Sequence, residues 1–276
     1  MFFRKLIALT GLFAAAGLLG CAPVKPRPGY SPEGGNKTVE KATQFLEKMG
    51  QAAMAQGNYA KAIADFTRAV KINPKDPILW KDLGEAYMAA KFYDDAKKAL
   101  LKALRLKPDY GDAIYDLGLL YFQKGDYSKA IYWLSRAANL PTYENRYLAY
   151  YQLAQVYKKL GDESNYLKNL QTAINLYPRF SAALLEIANY YVSKGAFDKA
   201  EPYFVQYLSY YPSDWNVALT YADLLIEHNR FKEARAILKN IVNSSQNPQV
   251  VSKAYKLINK LLLKEAQQKI NLQNNS

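Results

Sequence analysis

The sequence predicts an all-α fold: a right-handed solenoid of about six helical hairpins, closed by a further C-terminal helix. The first observation behind this is a period. Tyr59, Tyr93 and Tyr127 are 34 apart, as are Ala62, Ala96 and Ala130, and Gly84 and Gly118. From Tyr121 to Tyr157 the step is 36, which marks a two-residue insertion near 144–146; the step of 34 then returns in Ala154, Ala188 and Ala222 and in Pro178 and Pro212. The second observation is turn chemistry: Gly57-Asn58, Gly125-Asp126 and Gly161-Asp162 each join a residue tolerant of positive φ to a helix N-cap. The third is punctuation, since Pro74, Pro108, Pro178 and Pro212 stand where each second helix must stop. A pair of short helices cannot bury its apolar face alone, so neighbouring pairs stack into one core.

Each element then follows. Trp80-Lys81-Asp82-Leu83-Gly84-Glu85-Ala86-Tyr87 resembles the W-x-x-L-G-x-x-Y half of the tetratricopeptide repeat (TPR), and Ala62 to Phe66 followed by Pro74 resembles its A-x-x-x-F...P half. The repeats are placed at about 43–76, 77–110, 111–144, 147–180, 181–214 and 215–248. Gly84, Gly118, Ala154, Ala62, Ala96 and Ala130 are small where two helices come closest, and Leu83, Leu117, Tyr87, Tyr121, Phe66 and Leu100 fill the space around them. The sixth repeat is degenerate: Tyr221 and Ala222 replace leucine and glycine, Ile241 replaces alanine, and the proline is missing. Asn247-Pro248 opens a capping helix over 249–268, with Val251, Ala254, Leu257, Ile258, Leu261 and Leu262 on its apolar side. Residues 269–276 are expected to form a disordered tail.

The N-terminus reads as a targeting segment. Arg4 and Lys5 precede fifteen uncharged residues, Leu6 to Gly20, which fits a secretory signal over 1–20 and is too short for a membrane span of about 20 residues. Leu18-Leu19-Gly20-Cys21 resembles the lipobox of bacterial lipoproteins. That resemblance implies that Cys21 is the acylated first mature residue, and Ala22 implies an outer-membrane destination with the chain facing the periplasm. Residues 21–38, rich in proline and glycine, read as a linker that reaches at most about 55 Å and averages ~23 Å.

Composition excludes several function classes. One cysteine and one histidine in 276 residues supply neither an internal disulfide nor a soft-metal site, so no cofactor or metal is expected. The formal charge of +13 becomes +11 once Arg4 and Lys5 are cleaved away. Outside the cytoplasm that charge argues for solubility and attraction to anionic lipid or wall polymer rather than for nucleic acid. Catalysis is not expected: His228 sits in a turn with no nucleophile implied beside it, no glycine-rich phosphate loop is present, and a carboxylate pair among Asp82, Glu85 and Asp116 reads as recognition rather than glycan cleavage.

Recognition is expected on the concave wall lined by the first helix of each repeat. Helical spacing puts Ile78, Asp82, Glu85 and Ala89 on one stripe, followed by Asp112, Asp116 and Leu119 with Tyr115 and Phe122 beside them. Further on lie Gln152 and Gln155 with Tyr151 and Lys158, then Glu186 and Asn189. The wall is thus expected to be acidic first and amidic later, with Tyr115, Phe122 and Tyr151 as anchors for a peptide. The TPR subtype that grips chaperone C-termini uses lysine, arginine and asparagine there; this wall suits a basic or amphipathic protein ligand instead. Six repeats behind a lipobox resemble the type IV pilus biogenesis lipoproteins of the PilF/PilW type, which implies a scaffold that assists secretin assembly. An adaptor resembling NlpI, which docks peptidoglycan hydrolases, is the alternative; a cell-wall glycan enzyme or binder is a third.

Overall fold

A computed structural model describes residues 37–274, and Cys21, the signal segment and most of the expected linker lie outside that range. Among the described residues there are thirteen helices and no strand. Six hairpins follow one another: α1 (Lys37–Ala55) with α2 (Tyr59–Ile72), α3 (Pro77–Ala89) with α4 (Tyr93–Leu106), and α5 (Gly111–Gln123) with α6 (Tyr127–Ala138). After the insertion come α7 (Arg146–Leu160) with α8 (Glu163–Leu176), α9 (Ser181–Ser193) with α10 (Phe197–Tyr210), and α11 (Trp215–Glu227) with α12 (Phe231–Ser244). The last helix, α13 (Pro248–Asn274), packs on α12 and α11.

The turns are built as the repeated residues require. Asn58, Asp126 and Asp162 cap α2, α6 and α8, their side chains accepting from the backbone N–H of Lys61, Lys129 and Asn165 at 3.1, 3.1 and 3.0 Å. The preceding residue is left-handed in every hairpin. Gly57, Gly125, Gly161 and Gly195 supply it freely, while Lys91 (φ 64°) and Asn229 (φ 59°) adopt it despite their side chains. α2, α4, α8 and α10 each end two residues before Pro74, Pro108, Pro178 and Pro212.

Four buried clusters, bridged by half-buried side chains such as Tyr87, Tyr157 and Tyr191, follow one another along the solenoid. Phe66, Leu100, Leu134, Leu170, Phe204 and Leu238 hold the same place in successive second helices, and each is at most 1% exposed. The facing position is small for a steric reason: a Cβ on Gly50, Gly84 or Gly118 would lie 2.7, 2.7 or 2.5 Å from Phe66, Leu100 or Leu134. The insertion before α7 has a structural use as well. It turns Tyr143 inward, 6% exposed, onto Gly111, where any side chain would collide with the ring.

Two expectations about the ends are corrected. α1 begins at Lys37, so the last residues assigned to the linker are already helical. The segment from 269, expected to be a disordered tail, continues α13 to Asn274. Its lysine, isoleucine, leucine and glutamine are all compatible with helix, and neither glycine nor proline interrupts the segment.

Candidate functional site on the concave wall

First helices touch first helices: α3 packs on α5, α5 on α7 and α11 on α13, which puts this set on the short, inner side of the curve. The wall they form has two lobes of different chemistry.

The first lobe lies between α3 and α5. Lys81 Nζ is 2.7 Å from Asp82 and 3.1 Å from Glu85, with its side chain only 15% exposed. Asp112 and Asp116 add their charges from α5. Asp82 and Asp116 are each 4% exposed, and one carboxylate oxygen of each, Oδ2, has no hydrogen-bond partner. This corrects the expectation that both line an open groove. Because α3 and α5 pack directly, their stripe position faces the neighbouring helix; Glu85 and Asp112 remain partly accessible.

Four carboxyls crowd around one ammonium, two of them buried and two partly accessible, and that crowding favours protonated carboxyls. Burial, reinforced by the neighbouring Glu85, holds the Asp116 carboxyl well above its ordinary range, and Glu85 is pushed up by burial against the opposing pull of Lys81. Asp112 is raised by burial as well. Burial pulls Lys81 down, but the surrounding carboxylates outweigh it and keep it protonated.

Between the lobes, the expected aromatic anchors are engaged within the fold. Tyr115 is half-buried with its ring centre 6.2 Å from that of Tyr143, and Phe122 lies 6.0 Å from Tyr127. Tyr151 is 8% exposed, edge-on to Phe180 at 5.0 Å. Tyr151 is therefore a packing residue rather than a free anchor, because the ring of Phe180 from the α8–α9 turn covers it. Leu119 and Gln152 are partly buried beside these rings.

The second lobe, built on α7, α8 and α9, is a concave pocket of about 700 Å³. Glu186 is its hub. It accepts from Gln155 Nε2 at 2.8 Å, from Lys158 Nζ at 2.7 Å and from the Tyr166 hydroxyl at 3.1 Å. A second set faces it across the rim: Glu163 accepts from Lys194 Nζ at 2.6 Å and from the Tyr190 hydroxyl at 2.9 Å. The rings of Tyr166 and Tyr190 meet edge to face at 5.7 Å. Asn189 is exposed on the lining, and Leu185 and Ala182 give the floor an apolar strip.

Of the residues read from the sequence as groove-lining, Tyr151, Lys158, Glu186 and Asn189 line this pocket, and Gln155 holds Glu186, its hub. Tyr166, Glu163, Tyr190 and Lys194 were missed. One signal was available: Tyr166 stands 36 residues after Ala130, in the column where Ala62, Ala96, Ala200 and Ala234 are buried. A large residue in a small-residue column brings a hydroxyl to Glu186.

Chemically, the wall offers charged and amide contacts around apolar strips, which suits binding. Among the described residues no group of histidine, cysteine, aspartate and glutamate could hold a metal ion. His228 stacks on Phe197 at 4.1 Å, with Nδ1 2.8 Å from the Leu224 carbonyl oxygen.

Tetratricopeptide-repeat models match residues 53–103, 81–144, 148–179 and 191–261. The chain belongs to the tetratricopeptide-repeat family. Superkiller protein 3 of Schizosaccharomyces pombe is 32% identical over 145 residues, 51% of this chain and 10% of that protein. The co-chaperone sgt12 of Aspergillus fumigatus is 35% identical over 109 residues, 40% of this chain and 31% of that protein. The chain thus spans less than a third of these relatives. The solved structure of pilF from Pseudomonas aeruginosa superposes with a TM-score of 0.60 over 78% of this chain and 97% of that one, at 14% identity. PilW, a type IV pilus biogenesis factor, gives 0.56 over 79% and 99%, at 22% identity. At such identities the likeness is one of fold, the same path of stacked hairpins.

Proposed function

We propose that this chain is a scaffold of the cell envelope that recruits a protein partner on its concave wall and assists assembly of a surface complex such as a type IV pilus secretin. The observation that carries the reading is the pocket between α7 and α9, which is large enough for a peptide side chain or short segment. Repeat proteins use such extended inner surfaces for binding. The envelope setting rests on the lipobox around Cys21, and the pilus setting on the fold shared with PilF and PilW. The partner expected is an amphipathic protein segment with basic residues, since Glu85 and Asp112 are the accessible charges of the first lobe.

Affinity capture from native membranes tests this. Asn189→Arg fills the mouth of the pocket without touching the core, and capture of the wild-type partner should fall at least about tenfold. Undiminished capture by the folded variant would reject the pocket as the binding place.

A further inference from the structure

A capping helix is expected to show water a polar outer face, and α13 does not. Its buried side is made by Val250, Ala254 and Leu261. On a different side, Tyr255, Leu262, Leu263 and Ile270 are 53%, 51%, 73% and 50% exposed. With Ala266 they fall within an arc of about 100° when the helix is unrolled at 3.6 residues per turn, and they extend over ~22 Å. This stripe is distinct from the face that closes the solenoid.

Charge decides what suits the stripe. α13 carries five lysines and one glutamate. Lys260 and Lys264 are committed to Asp223 and Glu227, and Glu265 to Arg235. Lys253, Lys256 and Lys269 are exposed and make no ion pair among the described residues; Lys256 borders one edge of the stripe and Lys269 the other. A second copy of α13 laid on the stripe would bring like charges together. An anionic lipid surface would meet free cations with opposite charge and apolar side chains with acyl chain. The helix has neither the length of uninterrupted apolar sequence nor the low charge needed to cross a bilayer.

We infer that α13 is an interfacial helix that lies on an anionic lipid surface, inserting Tyr255, Leu262, Leu263 and Ile270 while Lys256 and Lys269 engage the headgroups. This is a membrane contact separate from any acyl group on Cys21. It places the far end of the solenoid at the bilayer.

The test is flotation of the full chain carrying Cys21→Ser, which removes any acyl anchor, with vesicles of phosphatidylglycerol mixed with phosphatidylcholine. The protein should float with these vesicles and not with phosphatidylcholine alone, and less as salt rises. Leu263→Asp with Ile270→Asp, at exposed positions that leave the fold intact by circular dichroism, should lower partitioning at least about tenfold. No flotation, or flotation indifferent to the double substitution, overturns the inference. So does concentration-dependent self-association that the double substitution abolishes in the absence of vesicle binding, since the stripe would then be covered by a second copy.

Discussion

The two lobes of the concave wall put one column of the repeat to opposite uses. Asp82, Asp116, Gln152 and Glu186 are equivalent residues, separated by steps of 34, 36 and 34. In the first lobe Asp82 and Asp116 are buried with Lys81 as the shared cation, and each keeps an oxygen without a donor. In the second, Glu186 spends both oxygens on Gln155, Lys158 and Tyr166. A column therefore fixes where a side chain stands, whereas the donors in neighbouring columns fix what it does. The first lobe crowds carboxyls around one ammonium, with the pKa values of Glu85, Asp112 and Asp116 raised, and leaves two carboxyl oxygens without a donor; the second is a satisfied network around an open space.

Removing the lone cation should break the first lobe most severely. Lys81→Met leaves buried carboxylates without a counter-charge, at a cost of about 3–5 kcal/mol in chemical denaturation. The loss should shrink in acid. Asp116 and Glu85 have raised pKa values in the fold, so they bind protons more tightly there than in the unfolded chain. Their contribution is complete below the ordinary carboxylate range and fades as pH rises through the folded values. A variant equally unstable at acid and neutral pH would contradict that cluster.

Next in size, Gly118→Ala should lose about 1–3 kcal/mol, because the new methyl meets Leu134 at 2.5 Å. An unchanged melting curve would mean that the hairpin spacing is looser than described. The two lobes should also respond to charge removal with opposite signs. Asp116→Asn should stabilise by about 1 kcal/mol near neutral pH and flatten the pH dependence, whereas Glu186→Gln should destabilise by about 1–2 kcal/mol through its lost charged hydrogen bonds. Destabilisation by both would erase the contrast. The smallest effect concerns a turn: Lys91→Gly should gain about 0.5–1 kcal/mol by relieving a left-handed lysine, measured as a higher denaturation midpoint.

The repeat itself was legible because its signals are local. Asn58, Asp126 and Asp162 cap helices through their own neighbours, and Leu100 and Leu134 recur beside Gly84 and Gly118 at a fixed step. The wall was legible only in part. Helical spacing grouped Asp82 with Glu85 correctly on one stripe, but it carries no information on how closely α3 and α5 approach, and that distance buries one and leaves the other accessible. Tyr151 is not a free anchor for a similar reason, since Phe180 covers it from the α8–α9 turn, which helical spacing within α7 does not locate. Tyr143 belongs to the insertion, where the period gives no register, and Tyr166 breaks its column. The helical end of α13 departs from the expected tail because neither glycine nor proline stops the helix after Lys269.

The central claim is that a partner sits on the inner wall between α7 and α9. A photo-crosslinking residue placed at Asn189, on the pocket lining, or at Tyr132, 61% exposed on α6, interrogates it in intact cells. The account predicts a specific crosslinked protein from Asn189 and none from Tyr132; the same adduct from Tyr132 with none from Asn189 would contradict it.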